Sequence, residues 1–209
     1  ENFAREVMQL FTIVLYELNN DGSIKTDILG NKKETYVQSD ISNLARVFTG
    51  YDWDWSRVTW RDVSWLTYQV PSTEFANTPM ALKAGDHSIL EATFLGTTIP
   101  ANTPGPQALT TALDTLFNHP NVGPFFGKQM IQRLVTSNPS PGYVSRVADK
   151  FNNNGSGVRG DLKAVWRAIL TDPEARTVPS GATAGKLREP MVRLVQWART
   201  FDIYSTNGK

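Results

Sequence analysis

Hydrophobic side chains recur at helical spacing throughout the second half of the chain. Between residues 107 and 209, five stretches repeat apolar residues three or four positions apart, the spacing that gives an amphipathic helix one buried face. Local stop signals, several of them prolines, separate these stretches. The stretches begin at Ala108, Val122, Tyr143, Leu162 and Leu187. We therefore predict five helices packed as a single core, with Phe126 and Trp166 buried.

The first half mixes helical and extended patterns. Apolar spacings of three and four predict a helix from the start of the chain to about Thr12, and a second helix with Ser39 as its N-cap and Gly50 just past its end. Between these helices, the segment from Ile13 to Gln38 contains two glycine turns, which predicts strands joined by turns.

Residues 71–106 show little periodicity and contain several prolines, so we expect a long ordered loop with a short strand near Thr93 to Thr98. The fold class that follows is mainly α. A mixed region over residues 1–106, with a β-hairpin and an aromatic cluster, is joined in one continuous domain to a helical bundle over residues 107–209.

Composition and charge narrow the function classes. The 209 residues are 40% hydrophobic, which is enough for a buried core and argues against disorder. No apolar run approaches the length of a membrane span, and the chain has no cysteine for a disulfide or a cysteine zinc site. The net charge of +1 does not favour a nucleic-acid partner. Residues 1–100 carry 8 basic and 13 acidic residues, net −5, and residues 101–209 carry 13 and 7, net +6, so we expect weak attraction between the halves.

The candidate catalytic residues are His87, Arg5 and Glu6. His87 is one of only two histidines, and the other, His119, is best explained as a cation at a helix C-terminus. The spacing supplies neither residue with further ligands, so we predict no metal and no cofactor bound by the two histidines together. Arg5 and Glu6 on the first helix either project a charged cluster into a cleft or belong to an ordinary surface, where Arg5 pairs with Glu1 one turn earlier.

A second candidate is an imperfect calcium loop around Gly22. Glu17, Asn19 and Asp21 stand at suitable positions, but Ile28 occupies the place of the closing glutamate. A hairpin turn at Asp21-Gly22 explains the same residues, and we favour it.

A third candidate is the alternation of Tyr51, Trp53 and Trp55 with Asp52 and Asp54. On a strand, this spacing sets three rings on one face and two carboxylates on the other. If exposed, the rings form a stacking platform for a sugar polymer; if buried, they are a core face. We favour burial, because large aromatic residues more often fill cores. The basic residues of the second half recur opposite the apolar stripes, and we interpret them as solvated helix faces.

Several short motifs resemble the bacterial family known as domain of unknown function 1800 (DUF1800), over essentially the whole chain. They are the opening residues 1–12, Leu44-Ala45-Arg46-Val47-Phe48-Thr49-Gly50, Thr93-Phe94-Leu95-Gly96-Thr97, Phe117-Asn118-His119-Pro120 and Lys186-Leu187-Arg188-Glu189-Pro190. The match corresponds to the C-terminal half of that longer family. The resemblance implies a largely helical, exported bacterial protein, periplasmic or extracellular, with no established reaction.

The chain departs from that family's pattern at two places. Val14 stands where a glycine is usual. Before Phe94 the pattern is His-Asp-x-Gly-x-Lys, and this chain keeps His87 but has Ser88, Leu90 and Ala92 at the other three positions. Any chemistry carried by those residues in the family is therefore in doubt here.

The chain opens inside a helical pattern, so we expect a fragment whose N-terminal helix is incompletely covered, with Phe3, Val7 and Leu10 marking where the preceding part of the polypeptide packs. The leading function is a non-catalytic exported protein that binds at the envelope or outside the cell, with a polysaccharide as the candidate ligand. One alternative is a hydrolase-like enzyme that shares its site with the absent N-terminal half. The other is a structural piece that completes a larger domain.

Overall fold

A computed structural model describes residues 1–62, 69–178 and 180–206. It confirms a mainly α fold with a few short antiparallel strand pairs. The chain forms two compact units. Unit 1 comprises residues 1–17 and 25–122, and unit 2 comprises residues 18–24 and 123–209. Trp65 and Tyr68, which the sequence placed among the crowded aromatic residues, lie outside the described residues.

Unit 1 opens with the predicted helix. Helix α1 (Asn2–Glu6) continues as a wider π-helical segment (Val7–Thr12), in which the Thr12 hydroxyl donates to the Val7 carbonyl at 2.6 Å. Helix α2 (Gln38–Val47) follows. The prediction of Ser39 as its N-cap is wrong, because the helix already begins at Gln38 and the Asp40 carboxylate accepts from the Val37 backbone N–H at 2.8 Å.

The strands of unit 1 are short. β1 (Tyr51–Asp52) pairs with β4 (Ala81–Leu82), β2 (Trp60–Arg61) with β3 (Val70–Pro71), and β5 (Ala92–Phe94) with β6 (Thr97–Ile99), all antiparallel. The strand expected near Thr93 is therefore a hairpin. The strands expected over residues 13–38 are reduced to isolated bridges, because glycine turns with positive φ interrupt the pairing at Gly22 and Gly30.

Helix α3 (Gly105–Asn118) completes the core of unit 1. Its buried Ala108, Ala112 and Leu116 face α2 and the β5–β6 hairpin, where Leu44 and Phe94 are fully buried. The division of the chain thus falls near Val122 and differs from the predicted boundary at residue 106, because the apolar face of α3 packs with the mixed region.

Unit 2 is helical: α4 (Val122–Leu134), α5 (Pro141–Asn152), α6 (Leu162–Thr171), α7 (Pro173–Arg176) and α8 (Pro190–Thr200). Helices α5 and α6 form the centre of its core, and the Tyr143 hydroxyl, fully buried there, donates to the Ile169 carbonyl at 2.5 Å. The early segment 18–24 belongs to this unit, since the Asn20 amide donates to Ser145 Oγ at 2.9 Å and Asp149 Oδ1 at 2.8 Å.

The five predicted helices are present, but the prediction that they share one core is wrong. Helix α3 belongs to unit 1, and no residue of α8 is buried. Phe126 and Trp166 are only half-buried, with ring centroids 5.8 Å apart. The described attachments of α8 lie at its N-terminal end, where Arg133 pairs with Glu189. Within the described ranges, no helix combines the length and hydropathy needed to cross a bilayer.

Candidate functional site

His87 lies against the C-terminal end of α2. Its Nδ1 is 3.0 Å from the Thr49 carbonyl oxygen, and the neighbouring Ser88 N–H donates to Thr49 Oγ1 at 2.7 Å. A carbonyl only accepts, so Nδ1 is the donor in this contact. The backbone therefore fixes the position of this histidine and the ring nitrogen that faces Thr49.

Two glycines allow the backbone to pack closely around His87. Gly50 has φ of +80°, and a Cβ there would lie 2.8 Å from the Lys83 carbonyl oxygen and 2.9 Å from the His87 backbone nitrogen. A Cβ at Gly105, at the start of α3, would lie 2.6 Å from Leu82 Cδ2. A larger residue at Gly50 would therefore displace the backbone that carries His87, whereas at Gly105 the Leu82 side chain would have to move.

The three departures from the family pattern line one crevice with His87. Ser88, Leu90 and Ala92 border it, and its volume of about 10 Å³ is close to the minimum for one water molecule. The charged residue in its lining, Arg46, donates to Asn43 Oδ1 at 2.9 Å and to the Glu91 carbonyl. Among the described residues that line the crevice, no aspartate or glutamate stands beside His87.

Arg5 and Glu6 do not join His87. Arg5 Nη2 donates to Gln38 Oε1 at 3.0 Å, at the first residue of α2, whereas His87 contacts the other end of that helix. Ten helical residues span about 15 Å. Glu6 is exposed, so the predicted catalytic cluster is not assembled by these residues.

Glu1 and Arg5 meet through a shared partner instead of the expected direct pair. The Gln38 side chain accepts from Arg5 and donates to Glu1 Oε2 at 3.3 Å, while the Ser42 hydroxyl donates to Glu1 Oε1 at 2.7 Å. These polar contacts join α1 to the first turns of α2, which is a structural role.

The residues of the imperfect calcium loop make a hairpin turn. The Asp21 carboxylate accepts from the Ser23 N–H at 2.9 Å and from its hydroxyl at 2.6 Å, and the hydroxyl bond is the main cause of the lowered pKa of Asp21. Gly22 has φ of +76°, as such a turn requires. In unit 1, Glu17 pairs with Lys25 and Lys33. Among the described residues, no cluster of three potential metal ligands occurs.

The aromatic residues after Gly50 do not form one strand face. The strand ends at Asp52, and the Asp54 carboxylate accepts from the Ser56 N–H at 3.0 Å, which starts a 3₁₀ turn at Trp55. The expectation of burial is wrong for two of the rings, because Trp53 is 48% exposed and Trp55 is 38% exposed. Capping by Asp54 breaks the alternation that a buried face would need.

The exposed rings gather around Phe75. Its ring centroid lies 5.1 Å from those of Trp53 and Trp55, and Trp55 stacks on Trp60 at 6.0 Å with an interplanar angle of 22°. We call Trp53, Trp55, Trp60 and Phe75 the aromatic platform. Trp60 is also exposed, so three indoles reach the surface together.

Carboxylates flank the platform along the chain. The Lys83 ammonium hydrogen-bonds Asp52 and is the main cause of the lowered pKa of that carboxyl, with a smaller contribution from the Trp55 side chain. Hydrogen bonding to Ser56 lowers the pKa of Asp54. Both groups are therefore anionic at neutral pH and act as hydrogen-bond acceptors.

An apolar groove of about 700 Å³ lies in unit 1 beside α1. Its lining includes Phe3, Val7, Phe48, Met80, Leu109 and Leu113. Tyr51 lines this groove and is thus separated in role from Trp53 and Trp55. Phe3 is 62% exposed, and Leu10 is exposed on the same helix, which confirms the prediction that the N-terminal helix is incompletely covered.

Asn121 is a buried residue that no pattern in the sequence predicted. Asn121 is 1% exposed, and its side-chain amide donates to the carbonyls of Ile13 at 2.7 Å and Tyr16 at 2.9 Å. The Asn121 N–H lies 3.1 Å from His119 Nδ1, so the ring of His119 caps the turn that leads into Asn121, and the cationic state of His119 stays a prediction. The sequence signal that points to Asn121 is its position directly after His119-Pro120, which marks the end of a helix.

Val14, at the position where the family pattern suggests a glycine, has a backbone conformation that favours glycine. Its φ of 53° lies in the left-handed region, which a β-branched residue rarely adopts. The π-helical segment ends here, and the Val14 N–H donates to the Met8 carbonyl at 3.0 Å. Val14 therefore carries local backbone strain at the end of this segment.

Comparison with known proteins agrees with the motifs. The family model described as "Protein of unknown function (DUF1800)" matches residues 1–208. No curated protein and no solved structure matches the chain. The match covers nearly every residue, and the chain belongs to the DUF1800 family, whose function is unknown.

Proposed function

We propose that the protein is a non-catalytic binding protein, exported to the cell envelope or beyond, that holds a polysaccharide on its aromatic platform. The observation that carries the proposal is the joint exposure of Trp53, Trp55 and Trp60 around Phe75. Indole rings combine a large apolar face with a polar N–H, and the C–H faces of sugar rings pack on such surfaces. The exported location rests on the family resemblance.

The surroundings of the platform suit a hydroxyl-rich ligand. Phe75 is half-buried and supports Trp53 and Trp55 from one side, which limits the conformational entropy lost on binding. The ionised Asp52 and Asp54 offer acceptors for sugar hydroxyls next to the rings. This arrangement supports binding, because each carboxylate is held ionised by its own hydrogen-bond partner, Lys83 for Asp52 and Ser56 for Asp54.

The hydrolase alternative has less support. The His87 crevice is close to the size of one water molecule, and Arg5 and Glu6 are at the other end of α2. His87 and Arg5 are not placed to act on the same bond of a substrate, since about 15 Å of helix separates their contacts.

The structural alternative is favoured by a separate observation, the apolar groove. In this proposal, the preceding part of the family's longer polypeptide packs on Phe3, Phe48 and Leu113. Leu113→Glu should then leave the free energy of unfolding of the 209-residue chain nearly unchanged, because Leu113 is exposed there. The same change should destabilise a longer chain that contains the partner segment, and equal effects in the two chains would contradict the idea.

Retention on insoluble polysaccharides tests the leading proposal. The double variant Trp53→Ala/Trp55→Ala should lose roughly tenfold or more of the retention shown by the parent on cellulose, chitin or peptidoglycan, if each ring contributes about 1 kcal/mol. Trp197→Ala, which removes an exposed indole from unit 2, is the matched control. Far-UV circular dichroism checks that both variants fold. Equal retention of parent and double variant, or no retention of the parent on any of the polymers, would refute the proposal.

A further inference from the structure

Helix α8 is amphipathic, yet its apolar side is solvent-exposed. At 100° per residue, six of the seven apolar side chains of residues 191–201 occupy an arc of about 160°, and the seventh, Val192, lies outside it. The six are Trp197, Phe201, Leu194, Ala198, Met191 and Val195. All but the half-buried Ala198 are exposed, and Leu194, near the centre of the arc, is 57% exposed. An arc of this width normally faces a core.

Cations border the apolar arc on both sides. Arg193 lies about 40° beyond Trp197 at one edge, and Arg199 lies about 40° beyond Val195 at the other. Lys186 and Arg188 precede the helix. The one acid among residues 186–200, Glu189, is already paired with Arg133. The surface presented by α8 is thus apolar in the middle and basic at its rim.

A groove beside the helix repeats this combination. It has a volume of about 730 Å³, and its lining joins Lys186, Arg188 and Arg193 to the rings of Trp197 and Phe201. The two rings lie 6.1 Å apart. Charged groups of one sign therefore converge next to aromatic rings on a helix that has no buried residue.

The positive charge around α8 favours one kind of binding partner for its apolar arc over another. Unit 2 carries 13 basic and 7 acidic residues, a net charge of +6. Packing α8 against α8 of a second copy would bring Arg193 and Arg199 close to their counterparts, which is unfavourable. The complementary occupant has an apolar interior and a dense negative surface, as an anionic lipid bilayer does.

We propose that α8 is an interfacial helix that binds the surface of anionic membranes, with its apolar arc at the level of the headgroups and acyl chains and its arginines at the lipid phosphates. Trp197 and Phe201 are residue types that favour this depth, and arginine stems extend along it while their heads remain in water. The helix lies in the plane of the interface and does not cross it. This inference is independent of polysaccharide binding by unit 1.

Co-sedimentation with vesicles tests the proposal on the intact protein. Binding to vesicles of phosphatidylcholine and phosphatidylglycerol in equal amounts should exceed binding to phosphatidylcholine alone, and added salt should weaken it. Leu194→Glu should reduce binding at least tenfold. Leu170→Glu is the matched control, since Leu170 is 58% exposed but lies on α6, outside the apolar arc of α8, and it should bind as the parent does.

A second pair of variants separates charge from hydrophobicity. Arg193→Gln/Arg199→Gln should lose roughly 25-fold in binding to the anionic vesicles, because each cation near such a surface contributes about fivefold. Lys163→Gln/Arg167→Gln changes the net charge equally on α6 and should lose much less. Equal losses for the two double variants, or equal binding to both vesicle types, would overturn the proposal. A dimer in solution that Leu194→Glu dissociates, without lipid binding by the parent, would also overturn it and assign the face to a second copy.

Discussion

Replacement of Asn121 provides the sharpest test of how unit 1 is held together. The Asn121 amide satisfies the carbonyls of Ile13 and Tyr16, and it lies 3.3 Å from the Thr35 hydroxyl. Asn121→Ala removes the donors while the carbonyls stay in the folded core. A buried acceptor left without a partner costs about 1–3 kcal/mol, so two of them predict a loss of about 2–6 kcal/mol. That is a large share of the about 5–15 kcal/mol that stabilises a typical domain.

Urea unfolding measures this loss, and Asn118→Ala is the matched control. Asn118 lies three residues earlier and donates to the Asp114 carbonyl at 2.8 Å, but it is exposed. Its replacement should change the free energy of unfolding by less than about 0.5 kcal/mol. If Asn121→Ala costs no more than Asn118→Ala, the hydrogen bonds from the Asn121 amide to Ile13 and Tyr16 do not contribute to the stability of unit 1.

Asn121→Asp keeps the shape and reverses the hydrogen-bonding character. An ionised carboxylate would face two carbonyl oxygens, so burial should raise the pKa of the new aspartate above its unfolded value of about 3.9. A group with a raised folded pKa stabilises the fold least above that pKa. The variant should therefore be less stable than Asn121→Ala at pH 7 and recover as the pH falls below the folded pKa towards the unfolded value. A difference from the parent that does not vary with pH would refute this account.

Three further predictions concern single positions. Thermal unfolding should show that Gly50→Ala costs about 1–3 kcal/mol more than Gly30→Ala. Both glycines have φ above +75°, but of the two only Gly50 has backbone atoms within 3 Å of an added Cβ. Equal losses of stability in the two variants would show that this contact can relax. The hydrogen bond from Arg146 lowers the pKa of Asp172, so its contribution is present above the ordinary value of 3.8 and is lost as the pH falls through the lowered folded pKa. Asp172→Asn should therefore flatten the acid side of the stability profile, and an unchanged profile would contradict this assignment. Burial raises the pKa of Tyr143 to about 12, so the free energy of unfolding should decline above about pH 10. Tyr143→Phe should remove that decline and should cost about 1 kcal/mol at neutral pH, because it removes the hydroxyl. A decline that persists in the variant would show that other groups cause it.

The helices were predictable because their signal is local. The apolar positions of α3 and α5 repeat within a few residues, and the stop signals are neighbours in sequence. The same pattern shows that a helix has an apolar face but not which surface covers it. For this reason the apolar pattern of α3 does not show that it packs in unit 1, and that of α8 does not show that it is exposed.

The candidate site was predictable only in part. The separation of Arg5 from His87 follows from contacts at the two ends of α2, which the sequence does not specify. The platform depends on a single cap, since Asp54 turns the chain before Trp55 and exposes the rings. Asn121 is bonded to residues more than 100 positions away, a distance at which no periodicity carries information.

The membership of residues 18–24 in unit 2 has a consequence for synthesis. Asn20 bonds to Ser145 and Asp149, which follow it by 125 and 129 residues. At about 5–20 residues per second, a ribosome needs roughly 6–25 s to make that stretch. Throughout this interval the hairpin tip has emerged without the helix that it will join. Unit 2 therefore cannot fold fully in the order in which it is made, and the tip of an early hairpin must wait for α5.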